Sequence, residues 1–170
     1  ILVAVIAMTS CSNTTRYFKV EGSIAGMPAQ NVVLEEWGVD ADEVKLVDSV
    51  RSDKNGNFSL KGIYGEPALY RIKMGNKAML IVVDGEHIKL KSDWNDDLKS
   101  YTATGSPGSS SLGNFLSRYR VLNEDILALQ MAADSLNTNA APDSVLMLVQ
   151  GESDKKYKEL TAYIRNFSDS

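Results

Sequence analysis

The chain has 170 residues, of which 44% are hydrophobic and 24% are charged, and its formal net charge is −4. This composition excludes wholesale disorder, because the chain has enough apolar surface to bury a core. Basic and acidic residues are nearly balanced both before and after residue 110, without a basic stretch of the kind that binds nucleic acid. We therefore expect no nucleic-acid partner.

The first element is an apolar run at residues 1–8, which leads through small polar residues to the sole cysteine, Cys11. The run is too short to span a bilayer, which needs about 20 apolar residues, and it suits the core of a secretory signal. Residues 8–11 resemble a lipobox, the bacterial motif whose cysteine is lipid-modified. We predict a partial signal peptide over residues 1–10, lipidation of Cys11 and a tether over 11–16. A stray thiol near the terminus is the alternative.

From residue 17 to 104 short apolar stretches alternate with turn residues, which is typical of an all-β domain. Asn55-Gly56 is the strongest turn signal and predicts a hairpin between its flanking strands. Alternation of apolar and polar residues, as at 87–91, predicts antiparallel strands that bury one face. We predict an antiparallel β-sandwich over residues 17–105, with a small barrel as the alternative. The predicted strands are residues 17–24, 31–37, 44–52, 57–63, 68–74, 79–83, 87–91 and 101–104.

The Ser- and Gly-rich residues 106–111 are interpreted as a linker, after which the apolar period changes. Apolar residues then recur every three or four positions from Leu112 to Leu136, which predicts a long helix with one apolar seam. Asp143-Ser144 is typical of a helix start and predicts a second helix. The seam of that helix is Leu146, Val149, Ser153, Tyr157, Leu160, Ile164 and Phe167. Because a short loop joins the helices, we predict an antiparallel helical hairpin over residues 112–168.

Side chains that could support catalysis or hold a metal are few. The single histidine, His87, lies on the polar face of a predicted strand, and without a second histidine we expect no transition-metal site. The acidic clusters at residues 40–43 and 93–97 lack the glycine and terminal glutamate of a calcium loop, so we interpret them as solvated loops. The sequence carries no phosphate-binding loop or nucleophile elbow. We predict no catalytic residue, no cofactor and no enzymatic activity.

Five aromatic residues could form a stacking platform for a sugar, because an aromatic ring with a polar tip suits such contacts. Packing within the core or rim of the sandwich would use the same residues and is the interpretation that we favour. The five residues are Trp37, Tyr64, Tyr70, Trp94 and Tyr101.

Eight short segments combine turn residues and hydrophobic residues in a recognisable order. They are residues 18–24, 32–34, 48–50, 55–62, 67–72, 82–86, 104–106 and 112–115. This order resembles the N-terminal domain of unknown function in Bacteroidetes lipoproteins, where it precedes a thioredoxin-like domain of the TlpA/ResA type. In such proteins the redox-active CxxC pair lies in the later domain, and this sequence contains no CxxC.

The resemblance implies a non-catalytic, membrane-tethered module that is a spacer or a binding domain. Its partner would be a C-terminal thioredoxin-like domain or a periplasmic protein. We expect the protein in the cell envelope, anchored to the membrane by the lipid on Cys11 and facing the periplasm. The alternative is a stand-alone lipoprotein that binds a glycan or another ligand. A hydrolase with a diffuse acidic site is disfavoured, because no acid–base motif accompanies it.

Overall fold

The computed structural model describes residues 16–37 and 44–169, in which eight strands are followed by two helices. The strands are β1 (Arg16–Ala25), β2 (Asn31–Trp37), β3 (Val44–Arg51), β4 (Asn57–Tyr64), β5 (Ala68–Met74), β6 (Lys77–Val83), β7 (His87–Asp93) and β8 (Tyr101–Thr104). The helices are α1 (Pro107–Thr138) and α2 (Asp143–Ser168). All eight predicted strands are present.

The strands form two four-stranded sheets that enclose a common core. Sheet A has the order β4-β1-β7-β8, and sheet B has the order β3-β2-β5-β6. β1 and β7 run parallel, whereas the other paired strands in the described ranges run antiparallel. The predicted antiparallel β-sandwich is therefore confirmed, and the parallel pair is a local departure from it.

The core takes alternate residues from the strands, as the pleat of a sheet requires. In β5, Tyr70, Ile72 and Met74 are buried, while the residues between them are half-buried. The Phe18 ring of sheet A lies edge-on to Tyr64 of the same sheet and to Tyr70 of sheet B, at centroid distances of 5.9 and 5.4 Å. Burying one such large side chain contributes about 1.5–3 kcal/mol, so burial in this core is what holds the two sheets together.

The predicted turn at Asn55-Gly56 is present, but its flanking strands do not pair with each other. The Asp53 carboxylate accepts hydrogen bonds from the amides of Asn55 and Asn57, both at 2.8 Å, and Gly56 has a φ of +77°. β3 then pairs with β2 and β4 pairs with β1, so the turn crosses between the sheets. The predicted hairpin is wrong because turn residues specify a reversal, whereas packing decides which sheet each strand joins.

α1 begins at Pro107, inside the segment 106–111 that was interpreted as a linker. The N-cap residue Ser106 accepts a hydrogen bond from the Ser109 amide at 2.9 Å, and Pro107 fits the first turn. The Ser109 hydroxyl accepts from the Val82 amide at 3.0 Å and donates to the Val82 carbonyl at 2.6 Å. The segment is the start of a helix and not a linker, because the Ser106 hydroxyl caps α1 and the Ser109 hydroxyl covers the free edge of β6.

α1 runs along one side of the sandwich, from the end where β1 begins (the Arg16 end) to the end where β1 stops (the Ala25 end). At the helix start, the backbone of Gly105 lies against that of His87, at the Arg16 end of β7. Farther along, the Arg120 guanidinium donates to a carbonyl in the loop between β7 and β8 at 3.2 Å. The rest of α1 projects past the sandwich. At a rise of about 1.5 Å per residue, the projecting part is about 20 Å long.

α2 returns along α1 and forms the predicted antiparallel helical hairpin. Its core consists of Leu122, Ile126 and Leu160, with Tyr119 and Tyr163 packed beside them. The predicted seam of α1 is confirmed, because its apolar residues are all buried or half-buried. Within the described ranges, neither helix has the length and apolarity that crossing a membrane requires.

The seam of α2 departs from the prediction in its second half. Tyr157 and Ile164 are 45% and 41% exposed, whereas Tyr163 packs beside the hairpin core. Near Ile164, the buried face of the second half of α2 is thus shifted by one residue from the predicted seam. We attribute this shift to the middle of the helix, where Gly151 and Ser153 provide no large apolar side chain to fix the buried face.

Candidate functional site

Two of the sequence-predicted features fall outside the described residues. These are Cys11, the predicted lipidation site, and the acidic cluster at residues 40–43. The structure does describe the strand that follows the predicted tether, because β1 begins at Arg16 in the interior of sheet A. The chain that follows Cys11 therefore enters the described fold at the Arg16 end.

His87 and the second acidic cluster occupy surface positions of sheet A. His87 is exposed at the start of β7. In the loop after β7, the Asp93 carboxylate accepts from the Asn95 amide at 2.8 Å, and Asp97 pairs with Lys77 at 2.7 Å. The hydrogen bond and charge of Lys77 lower the pKa of Asp97. Among the described residues, no group of three or more His, Cys, Asp and Glu side chains is placed to hold a metal ion.

The five aromatic residues considered for a sugar platform do not share one surface. Tyr64, Tyr70 and Tyr101 are buried in the sandwich core, which confirms the packing interpretation for these three. Burial raises the pKa of Tyr70 and of Tyr101 to about 12. The Tyr101 hydroxyl donates to a backbone carbonyl of α1 at 3.1 Å, so it helps to dock the helix. Trp37 and Trp94 remain partly exposed.

Trp37 belongs to a polar cluster on the outer face of sheet B, which we call the Trp37 cluster (Glu35, Trp37, Arg71 and Lys73). The Arg71 guanidinium lies 5.4 Å from the centroid of the Trp37 ring, and its Nε donates to Glu35 at 2.8 Å. Lys73 reaches the other Glu35 oxygen at 3.4 Å. An aromatic ring beside donors that are held in place can bind a polar ligand with an apolar face, such as a sugar.

A shallow groove with a volume of about 560 Å³ opens where the edge strands β3 and β4 meet at a corner of the sandwich. Three large apolar side chains line this β3–β4 groove, namely Tyr17, Leu46 and Ile63, and they are 79%, 64% and 56% exposed. The Asp48 carboxylate accepts from the Lys61 amide at 2.8 Å and so closes the edge of β4. Clustered exposed apolar side chains mark surfaces that contact other molecules.

The sequence contained a signal for this groove that the strand predictions did not use. Tyr17 and Ile63 are large apolar residues, and the residues two positions away from them, Lys19 and Lys61, lie on the outward side of the same strands. The structure pairs Tyr17 directly with Ile63 across β1 and β4. Strand parity alone therefore marks both side chains as exposed. Leu46 could not be added to them from sequence, because it comes from the opposite sheet.

Comparisons with known proteins identify a family for the sandwich but no activity. The sequence model of a family described as a domain of unknown function, DUF4369, matches residues 18–111. No curated protein matches the chain. Among solved structures, the chain is similar to (S)-allantoin synthase, with 12% identity, coverage of 55% of this chain and 44% of that chain, and a TM-score of 0.34. The matched residues thus cover less than half of that protein.

Proposed function

Because this chain belongs to the DUF4369 family of domains of unknown function, we propose that it is a non-catalytic, membrane-tethered module of the bacterial cell envelope. In this proposal the lipid is attached to Cys11, and the sandwich with its hairpin serves as a spacer or a binding domain. The resemblance to domains that precede a thioredoxin-like domain suggests the partner, which is that C-terminal domain or a periplasmic protein.

The observation that best supports a spacer is the position of the two ends of the described chain. β1 begins at the Arg16 end, and the hairpin projects past the opposite end of the sandwich. Phe167, near the end of α2, stacks on Phe115 at a centroid distance of 4.1 Å, so α2 ends beside the first third of α1. A domain that followed α2 would start at the base of the hairpin, beside the sandwich.

A non-catalytic role is also consistent with the titrating groups of the described surface. Strongly perturbed pKa values concentrate at active sites. In the described part of the chain, the shifted pKa values belong to three kinds of residue. They are members of ion pairs (Glu21, Asp97 and Lys156), the turn residue Asp53, and the core tyrosines Tyr70 and Tyr101. Each of these shifts thus has a structural cause.

Lipid labelling in a bacterial host tests the tether. Cells that express the chain with a basic n-region added before residue 1 are grown with an alkyne-tagged fatty acid, and the label on the protein and its membrane fraction are measured. We expect the wild-type chain to carry the label and to sediment with membranes, and the Cys11→Ala variant to lose both. The matched control Ser12→Ala should keep both. Label on the Cys11→Ala variant, or none on the wild type, would contradict the tether.

The reading frame beyond Ser170 tests the proposed partner. A CxxC motif within a downstream βαβ pattern would support a thioredoxin-like domain that this module holds at a set distance from the membrane. A stop codon directly after Ser170 would favour a protein that acts alone.

The Trp37 cluster favours a second candidate function, a stand-alone lipoprotein that binds a glycan or another ligand. Titration of the protein with oligosaccharides should then quench tryptophan fluorescence in a saturable way. The quenching should be lost in Trp37→Ala and kept in Trp94→Phe, since Trp94 lies under Lys77 in a different part of the molecule. Absence of saturable quenching in the wild type would leave the spacer function as the better account.

A further inference from the structure

The outer face of sheet A collects basic side chains that lie far apart in the sequence. Alternation places Lys19 of β1, Lys61 of β4, and His87, Lys89 and Lys91 of β7 on this face, which we call the basic face. Lys19 is the direct strand partner of both Lys61 and His87. Adjacent strands are about 4.8 Å apart, so the two lysines and the histidine lie side by side in one row.

Few carboxylates of sheet A itself neutralise the basic face, while Glu36 and Asp48 of sheet B line the neighbouring groove together with Lys45. Within the strands of sheet A, the outward-facing acidic residues are Glu21, which pairs with Lys19, and Asp93, at the Ala25 end. Lys19, followed by Lys89 and His87, lowers the pKa of Glu21. In the described part of the chain, no ion pair joins Lys89 or Lys91 to a carboxylate.

The basic face has an apolar border at the Arg16 end. Tyr17 and Ile63 are paired in the row next to Lys19 and Lys61, and Leu46 stands beside them in the β3–β4 groove. An exposed tyrosine and aliphatic side chains next to a row of lysines suit the boundary between lipid headgroups and acyl chains. The same end of β1 is where the chain arrives from Cys11.

The hairpin has the opposite charge at its distal half. Residues 121–154 contain six acidic residues and no lysine or arginine. An anionic surface would therefore attract the basic face and repel the hairpin tip. Both effects favour an orientation in which the basic face, and not the hairpin tip, meets that surface.

We propose that the basic face and its apolar border at Tyr17, Leu46 and Ile63 rest on an anionic lipid bilayer. This inference rests on the proposed tether, to which it adds a second contact. A lipoprotein cysteine resembles an anchor with more than one acyl chain, and a basic patch adds an electrostatic attachment to it. The second contact also fixes which face of the module meets the lipid.

Vesicle sedimentation tests the contact without the lipid anchor. The chain from residue 11 onward, with Cys11→Ser, is mixed with phosphatidylcholine vesicles, either pure or with about 30% phosphatidylglycerol. We expect binding to the anionic vesicles only, and its loss when salt is raised to about 0.5 M, because salt screens charges at a surface. Equal binding to both vesicle types, or no binding to either, would overturn the proposal.

Paired charge reversals locate the contact. Each lysine near an anionic surface raises the vesicle partition coefficient about fivefold. Lys89→Glu combined with Lys91→Glu should therefore lower this coefficient by a factor of about 25 or more. The control, Lys155→Glu combined with Lys158→Glu, changes the net charge equally but lies on α2, and should leave partitioning unchanged. Tyr17→Ser should weaken binding to the anionic vesicles at low salt without a change in net charge, since the contribution of Tyr17 is apolar.

Two other outcomes would assign the basic face to a different partner and so overturn the proposal. Equal losses in the two double variants would show that net charge alone drives binding. Dimerisation of the wild type in sedimentation equilibrium, abolished by the β7 variant and without vesicle binding, would identify the acidic hairpin of a second copy as the partner. Failure of the vesicle assay with intact labelling of Cys11 refutes only the basic face, and the converse refutes only the tether.

Discussion

The sandwich and the helical hairpin differ in how many side chains they bury. The sandwich has one core between two sheets, in which side chains such as Leu34, Leu60 and Ile81 are fully buried. The hairpin core has three buried side chains, and Met131, Met147 and Leu148 near its tip are at least 70% exposed. Since local stability follows buried contacts, the distal half of the hairpin should open without unfolding of the sandwich.

The two regions also differ in charge. The outer face of sheet A is basic, whereas residues 121–154 of the hairpin are acidic. The net charge of −4 conceals this separation, because residues 121–154 alone carry −6 and the rest of the chain carries +2. A protein with one basic and one acidic end has a preferred orientation near any charged surface.

The largest effect is expected from a truncation in the sandwich core. Leu60 is fully buried, so Leu60→Ala should lower the free energy of unfolding by about 2–5 kcal/mol through lost burial and a cavity. Urea denaturation followed by tryptophan fluorescence measures the change. The matched control Leu46→Ala removes the same atoms from an exposed position and should change stability little. Similar losses in both variants would contradict the assigned core.

The equivalent truncation in the hairpin should have a local effect. Leu122 is fully buried between α1 and α2, and Leu122→Ala should cost about 2–4 kcal/mol of hairpin stability. Hydrogen exchange should then accelerate in both helices beyond residue 122, while the strands of the sandwich keep their protection. The control Leu127→Ala, half-exposed on the same helix, should leave exchange unchanged. A uniform acceleration in the sheets would show that the two regions unfold together.

The sequence predicted the sandwich and the hairpin because both depend on local periodicity. Alternation in β4 and β7, and the repeat from Leu112 to Leu136, report which side of each element is buried. The strand order could not be predicted in this way. The turn at Asn55-Gly56 indicated a hairpin, although β3 and β4 join different sheets, because the choice of sheet depends on contacts with distant strands.

The candidate surfaces were predictable only in part, for the same reason. Lys89 and Lys91 were visible as the polar face of one strand, but the basic face needs β1 between β4 and β7, which brings Lys19 and Lys61 beside them. Balanced charge along the sequence hid this arrangement. The Trp37 cluster likewise joins Glu35 to Arg71 across a strand pair that no local motif specifies.

The junction between the two regions should respond to a smaller change. Ser109 is fully buried, and its hydroxyl makes both of its hydrogen bonds to the backbone of Val82 in β6. Ser109→Ala should lower the free energy of unfolding by about 1–3 kcal/mol, because the Val82 amide loses its partner, while the Val82 carbonyl keeps the Ser106 hydroxyl at 2.8 Å. The control Ser111→Ala alters an exposed position two residues later in the same helix. Equal stability of the two variants would show that α1 docks without this serine.

The acid limb of the stability curve should depend on a turn of the sandwich. Hydrogen bonds from Asn57 lower the pKa of Asp53 below its usual value of 3.8. A lowered pKa stabilises the fold above 3.8, and this contribution is lost as the pH falls through the lowered value. Asp53→Asn should therefore flatten the fall in stability below pH 3.8, measured by urea denaturation. The effect is small because the carboxylate is exposed, and an unchanged slope would contradict it.

The alkaline limb should depend instead on the hairpin, where Lys156 spans the two helices. Its ammonium donates to the Asp125 carboxylate at 2.8 Å, and this hydrogen bond raises the pKa of Lys156 above 10.5. A raised pKa stabilises the fold below 10.5, and the contribution is lost as the pH rises through the raised value. Helical circular dichroism of the wild type should thus decline in that range, and Lys156→Met should remove this step. The decline should be small, since the pair is only half-buried and open to solvent, and its persistence in the variant would assign it to another group.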